Sequence, residues 1–375
     1  MCRKAPAGRG VAISRILRAA MLFTACAALI AVAFLGVARA AQPDFRPVTT
    51  PLPPGREIII SQIPHYKRET VATYLTFPEW YLVFAPQEYG EYLKARPPSG
   101  FPYFRLIHEM WWGYSQVYAI SRSYPFDGGD NLMIIVISRS STFEFGIKGA
   151  YEETVGHLFE AISGYHTPED AFAARVAVEY GDFVPTKPWF EYPYAHRLKS
   201  LWANVPFFGP NFPRKIERRI FLSTEYGIKA LYAGVIRLAS HAVYGVADTE
   251  VMASATGVNQ AVLSDTRARK VRDLGQGTWI LALSHYQGFT DDVPELAKEG
   301  MDLDEVAGNR EILVTFIAPK NWTYSLAEGR LLFSMPLLNT TDSKRLAVQA
   351  PVSALGGILR EAQEKGLRVE HLFDY

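Results

Sequence analysis

Two stretches decide how the chain is read: Glu144-Phe-Gly-Ile-Lys148-Gly-Ala-Tyr151 and, 81 positions later, Glu225-Tyr-Gly-Ile-Lys229-Ala-Leu-Tyr232. In each, Glu and Lys stand four apart and Tyr follows three after Lys, so on a helix the three side chains fall along one line. Apolar residues keep the same spacing around them: Ile147, Val155, Leu158 and Ile162 in the first copy, Ile228 and Val235 in the second. The spacing predicts two amphipathic helices, over 131–163 and 221–246. Two accounts of the likeness stand side by side: a duplication whose copies pack about a pseudo-twofold axis, or convergence on helix-forming patterns. The charged residues have two readings as well. They form exposed i,i+4 pairs, or they pair across the two helices at the edge of a polar pocket.

Working outward, helical segments are expected at 69–85, 86–94 and 104–121, with a turn at Tyr124-Pro-Phe-Asp-Gly-Gly-Asp130. Pro168 opens a further helix, capped by Thr167 and carrying Glu169 and Asp170 where negative charge suits the dipole. An aromatic and proline-rich stretch with Trp189 and Trp202 then leads into Arg214, Lys215, Arg218 and Arg219. Rings beside a basic cluster suit a lipid headgroup layer, so these six residues are expected at a membrane surface; a solvated helix start is the plainer alternative.

Beyond a small, polar linker at 248–273 the texture changes to strands, at 278–286, 310–318, 330–336, 345–349 and 367–373, interleaved with helices at 291–299 and 352–365. The expected fold is α+β: a mainly helical, aromatic-rich domain over 58–247 followed by a small split-βαβ, ferredoxin-like domain over 274–375. That superfold names no activity.

The first 43 residues carry six basic side chains and no acidic one, around the apolar run Met21 to Val37. This is the form of a secretory signal, with Ala38-Arg39-Ala40 as a cleavage site, or of an uncleaved single-pass anchor. The anchor is the favoured expectation: residues 1–40 in the inner membrane, a proline-rich spacer over 41–57, and the bulk exported. A soluble product released after Ala40 is the alternative. Cys2 and Cys26, the only cysteines, both lie in this leader. Without the six leader bases the chain has 33 basic against 38 acidic groups, which argues against nucleic acid as a partner.

No nucleophile elbow of the GxSxG type, phosphate loop, dinucleotide fingerprint or HExxH pair is present, and no cofactor is expected. Glu153 and His157 lack a third ligand, so no metal is expected. Glu79, His108 and Glu109, carboxylates and an imidazole beside aromatics, are the candidates for acid/base catalysis. The functional expectation is an envelope protein that binds the membrane and a protein or lipid partner, or serves as a structural component; an exported hydrolase working through Glu79, His108 and Glu109 is the alternative.

Overall fold

The computed structural model describes residues 70–124, 128–243, 249–259 and 266–375, together with Ile63 and Leu263. The leader and the spacer lie outside the described residues.

The N-terminal half is a stack of helices: α1 (Ala72–Leu75), α2 (Phe77–Leu93), α3 (Tyr103–Ser121), α4 (Gly128–Tyr151), α5 (His157–Ser163), α6 (Pro168–Phe183), α7 (Tyr194–Asn204) and α8 (Phe212–Val243). Thr167 caps α6 reciprocally with Asp170, as the sequence predicts. Helices α2 and α6 approach backbone to backbone: a Cβ on Gly90 would stand 2.9 Å from Val178, and one on Gly181 2.8 Å from Gln87. Between α4 and α5 the chain makes one π-helical turn, Glu152–Gly156, instead of running through as regular helix.

The C-terminal half is mixed helix and sheet, but it forms two four-stranded antiparallel sheets where a single ferredoxin-like one was expected. Strands β1 (Glu250–Thr256), β2 (Arg269–Gly275), β3 (Thr278–Ser284) and β4 (Asp302–Val306) lie in the order β2-β3-β1-β4, with α9 (Gln287–Lys298) joining β3 to β4. Strands β5 (Glu311–Pro319), β6 (Arg330–Pro336), β7 (Ser343–Pro351) and β8 (Arg368–Leu372) lie in the order β6-β7-β5-β8, with α10 (Leu355–Glu364) joining β7 to β8. The second unit repeats the first, strand for strand. Registers agree too: Ala253 faces Val306 as Val314 faces Leu372, and the first strand of each unit is bulged at Ser254/Ala255 and at Thr315/Phe316. Helices α9 and α10 pack together, and each touches the last strand of the other unit.

The segment expected as a linker therefore supplies β1 and most of β2. Its residues are small or charged, with weak strand propensity, and pairing to the apolar β3 makes them strand. Nor do the two halves keep separate cores. Leu313, Phe333, Met335 and Ala347 of the second sheet pack with Phe77, Trp80, Leu106 and Met110, while the opposite face of that sheet joins the first sheet and both C-terminal helices.

Candidate functional site

The site grows from the π turn. Its extra residue per turn brings Glu152 beneath α8, against Arg218 at 2.8 and 2.9 Å, and Gly156 makes room, since a Cβ there would meet the Glu152 carboxylate at 2.5 Å. Arg218 also holds Glu217 at 2.7 Å. Arg214 reaches Glu160, Asp170 and Glu217, each at 3.0 Å, and donates to the Gly156 carbonyl. Arg219 takes Glu169 at 2.8 Å and the Val205 carbonyl, with Lys215 3.8 Å from the same carboxylate. All four cations are 2 % exposed or less.

This corrects the membrane-surface expectation for Arg214, Lys215, Arg218 and Arg219. Five acids drawn from the π turn, α5, α6 and α8 itself neutralise them inside the protein, where an unpaired charge would be costly. Trp202 is exposed and donates to the Ser223 hydroxyl; Trp189 is half-buried and stacks on Tyr232.

About two turns further along α8 the two copies of the repeated stretch meet. Lys148 bonds Glu225 at 2.8 Å, and Lys229 bonds Glu144 at 2.7 Å and Glu225 at 3.2 Å. The pairing is reciprocal between antiparallel copies. Burial by itself would raise the Glu225 carboxyl, but the two ammonium groups prevail and hold it down at about 2. Burial opposes the charge on Lys148 and Lys229 as well, and their carboxylate partners overcome it, raising both. The tyrosines break the symmetry: Tyr151 donates to Glu217 and stacks on Phe221, whereas Tyr232 is exposed.

Behind these pairs lies a cavity of about 410 Å³ between α2, α4, α6 and α8. Tyrosine rings line it, with Lys148 4.5 Å from the Tyr89 ring and Lys229 5.6 and 5.7 Å from those of Tyr180 and Tyr194. A mostly carbon wall with a few fixed charges is the form of a small-molecule site.

The three catalytic candidates do not share a cleft. Glu109 is buried, accepts from Tyr81 at 3.0 Å, and is raised to about 7, chiefly by burial. His108, next in sequence, points to solvent on the other side of α3. Glu79 is half-buried near Tyr375. Instead, Glu109 adjoins a polar knot in which Arg345 holds Glu370 at 2.5 and 2.7 Å and Glu88 at 2.8 Å, with its guanidinium 5.2 Å from the Tyr81 ring.

A second cluster escaped the sequence reading. His285 Nδ1 lies 2.6 Å from Asp374, which also accepts the Tyr286 amide, and Tyr286 adopts φ 61° at the sharp β3–α9 junction. Nearby, His371 bonds Thr290 and lies flat on Trp80 at 3.5 Å; burial foremost, and then His285, hold it well below the usual imidazole range. Its partners stand 81 and 89 positions apart in pairs, so no local motif marks it.

The remaining feature is apolar and faces outward. Leu132, Val136, Phe143, Ile147, Leu158 and Ile162 on α4 and α5, and Ile220, Ile228, Leu231 and Val235 on α8, are all exposed, Leu231 by 74 %. Trp202, Phe207, Phe208 and Phe212 are exposed as well and pack on one another, with Phe208 exposed by 78 %. The helical stripes seen in the sequence are thus surface. Among the described residues no helix is long and apolar enough to cross a membrane, and no cluster of three or more His, Cys, Asp or Glu could hold a metal. Compared with protein families, curated proteins and solved structures, the chain matches none.

Proposed function

We propose that the protein is a membrane-tethered envelope binding protein, exported apart from its leader, whose apolar helical face lies on the bilayer that holds the tether. The observation that carries this reading is the set of ten exposed apolar side chains on α4, α5 and α8. Its extent exceeds the scattered apolar residues of an ordinary soluble surface. Bilayer is the occupant that fits the rest of the chain. The apolar run Met21 to Val37 is joined to α1 by residues 38–71, a reach of ~115 Å at most, and α1 packs on α4, which bears Leu132 and Val136. Aromatic side chains at one end of the face suit the headgroup level. A hydrolytic role has less support, since His108 points away from Glu109.

The test uses the full chain in liposomes, with Cys2 and Cys26 replaced by serine and single cysteines introduced at Leu231, Phe208 or, as a control, Lys298. Bimane attached at 231 and 208 is expected to be quenched by nitroxide-bearing lipids, and at 298 to be unaffected. Absence of quenching at 231 and 208 removes the bilayer as occupant. A stable dimer that shields both sites from water without lipid quenching would assign the face to a second copy of the chain.

A further inference from the structure

The cavity behind the repeated stretch has a charge arrangement that a purely structural ion-pair network does not need. Lys148 and Lys229 both project into an aromatic-lined space, and Glu225 is the one buried carboxylate bonded to them, since Glu152 and Asp170 in the same lining are held by Arg218 and Arg214. The second counter-ion, Glu144, stands at the rim with 47 % of its side chain exposed, while Lys229 is 19 % exposed. A rim carboxylate of this kind loses little by turning into water. The ammonium of Lys229 is held on the cavity side by Glu225 at 3.2 Å and by the rings of Tyr180 and Tyr194 at 5.6 and 5.7 Å. With Glu144 turned out, the trio Lys148, Glu225 and Lys229 carries one net positive charge beside a mostly apolar space of about 410 Å³, within the ~300–1,000 Å³ typical of small-molecule sites.

We infer that this cavity binds an amphipathic organic monocarboxylate, its carboxylate replacing that of Glu144 on Lys229 and its apolar body lying among the tyrosines of α6 and the 192–194 segment. Three observations select this class. The balance of one unmatched cation favours a single negative charge over a dianion or a cation. The lining is chiefly carbon, with Phe145, Val176 and Leu222 among the rings, which suits an alkyl or aryl body. The charge to be replaced is itself a carboxylate, so a ligand of the same chemistry reproduces the 2.7 Å pair with Lys229. Glu144 is then a stand-in for the ligand, and it competes with it. The repeated stretch gains a purpose that neither copy has alone: one contributes the displaceable acid, the other the cation left behind. The inference stands on the cavity and does not depend on what covers the apolar face.

The experiment is calorimetric titration of the full chain, in detergent below its effect on folding, with decanoate, decanol and decyltrimethylammonium. Saturable one-to-one binding of decanoate is expected, at least tenfold tighter than decanol, with no saturable binding of the cation. Glu144→Gln is expected to tighten decanoate several-fold by removing the competitor, and Lys229→Gln to weaken it tenfold or more while leaving decanol unchanged. Should Lys229→Gln fail to fold, Glu144→Gln decides, because its side chain is on the rim. Equal affinity for decanoate and decanol would overturn the proposal, since binding would then follow apolar contact alone. So would an unchanged or weakened decanoate affinity in Glu144→Gln.

Discussion

Glu109 shows how one buried carboxyl writes its environment into the stability of the protein. Its folded value of about 7 lies above that of an unfolded glutamate, so its contribution is complete below pH ~4.5 and is lost as pH rises through 7. Denaturant titrations at pH 5 and pH 8.5 should differ by roughly 2–3 kcal/mol on this account, and Glu109→Gln should flatten the difference. Glu225 runs the other way. Held at about 2, it stabilises the fold above pH ~4.5, and that share fades as pH falls toward 2. Glu225→Gln leaves two buried ammoniums facing each other and should cost about 3–5 kcal/mol at neutral pH; an effect below 1 kcal/mol would mean that water already screens the pair. At this scale the sequence was informative about identity and silent about partners. The repeat drew attention to Glu144, Lys148, Glu225 and Lys229, and those four do meet. Arg218 and Glu152 stand 66 positions apart, and no periodicity links them.

Among the elements, the π turn and the α2–α6 contact set the shape of the site. Arg218→Met removes the cation that the turn serves and strands Glu152, while Glu217 keeps Arg214 and Tyr151, for a loss of about 3–5 kcal/mol. Adding Glu152→Gln should restore part of it, and a double-mutant cycle reads the coupling directly. Gly181→Ala would press a methyl group into the backbone at Gln87, 2.8 Å away. We expect a loss of about 1–3 kcal/mol and a wider cavity, measurable as a lowered thermal midpoint. Helices were the legible elements, because their caps and periods are local: α3, the α4–α5 run and the Thr167-capped α6 follow the spacing. Strands β3 and β5 to β8 announced themselves by apolar, β-branched runs. Strands β1 and β2 did not, since Ala253, Ala255, Lys270 and Asp273 become strand only through β3. Nor does a helical period say which way its apolar side faces, and here the α4 and α8 stripes face out.

For the molecule as a whole, the shared core between helices α1–α3 and the second sheet makes the two halves one cooperative body. Phe333 packs edge-on against Phe77 at 5.1 Å and Trp112 at 5.3 Å. Phe333→Ala should cost about 3–5 kcal/mol and lower the helical and sheet unfolding signals together in a thermal scan; separate transitions would show that the halves are independent. The same seam carries a temporal consequence. The Thr73 hydroxyl donates to the Phe373 carbonyl, Trp80 donates to Tyr375, and His371 covers the Trp80 ring, each contact joining residues nearly three hundred positions apart. Helices α1 and α2, made early, have no completed core until β8 has been made. Until then the growing chain carries exposed aromatic surface, the condition under which a nascent protein depends on a chaperone's protection.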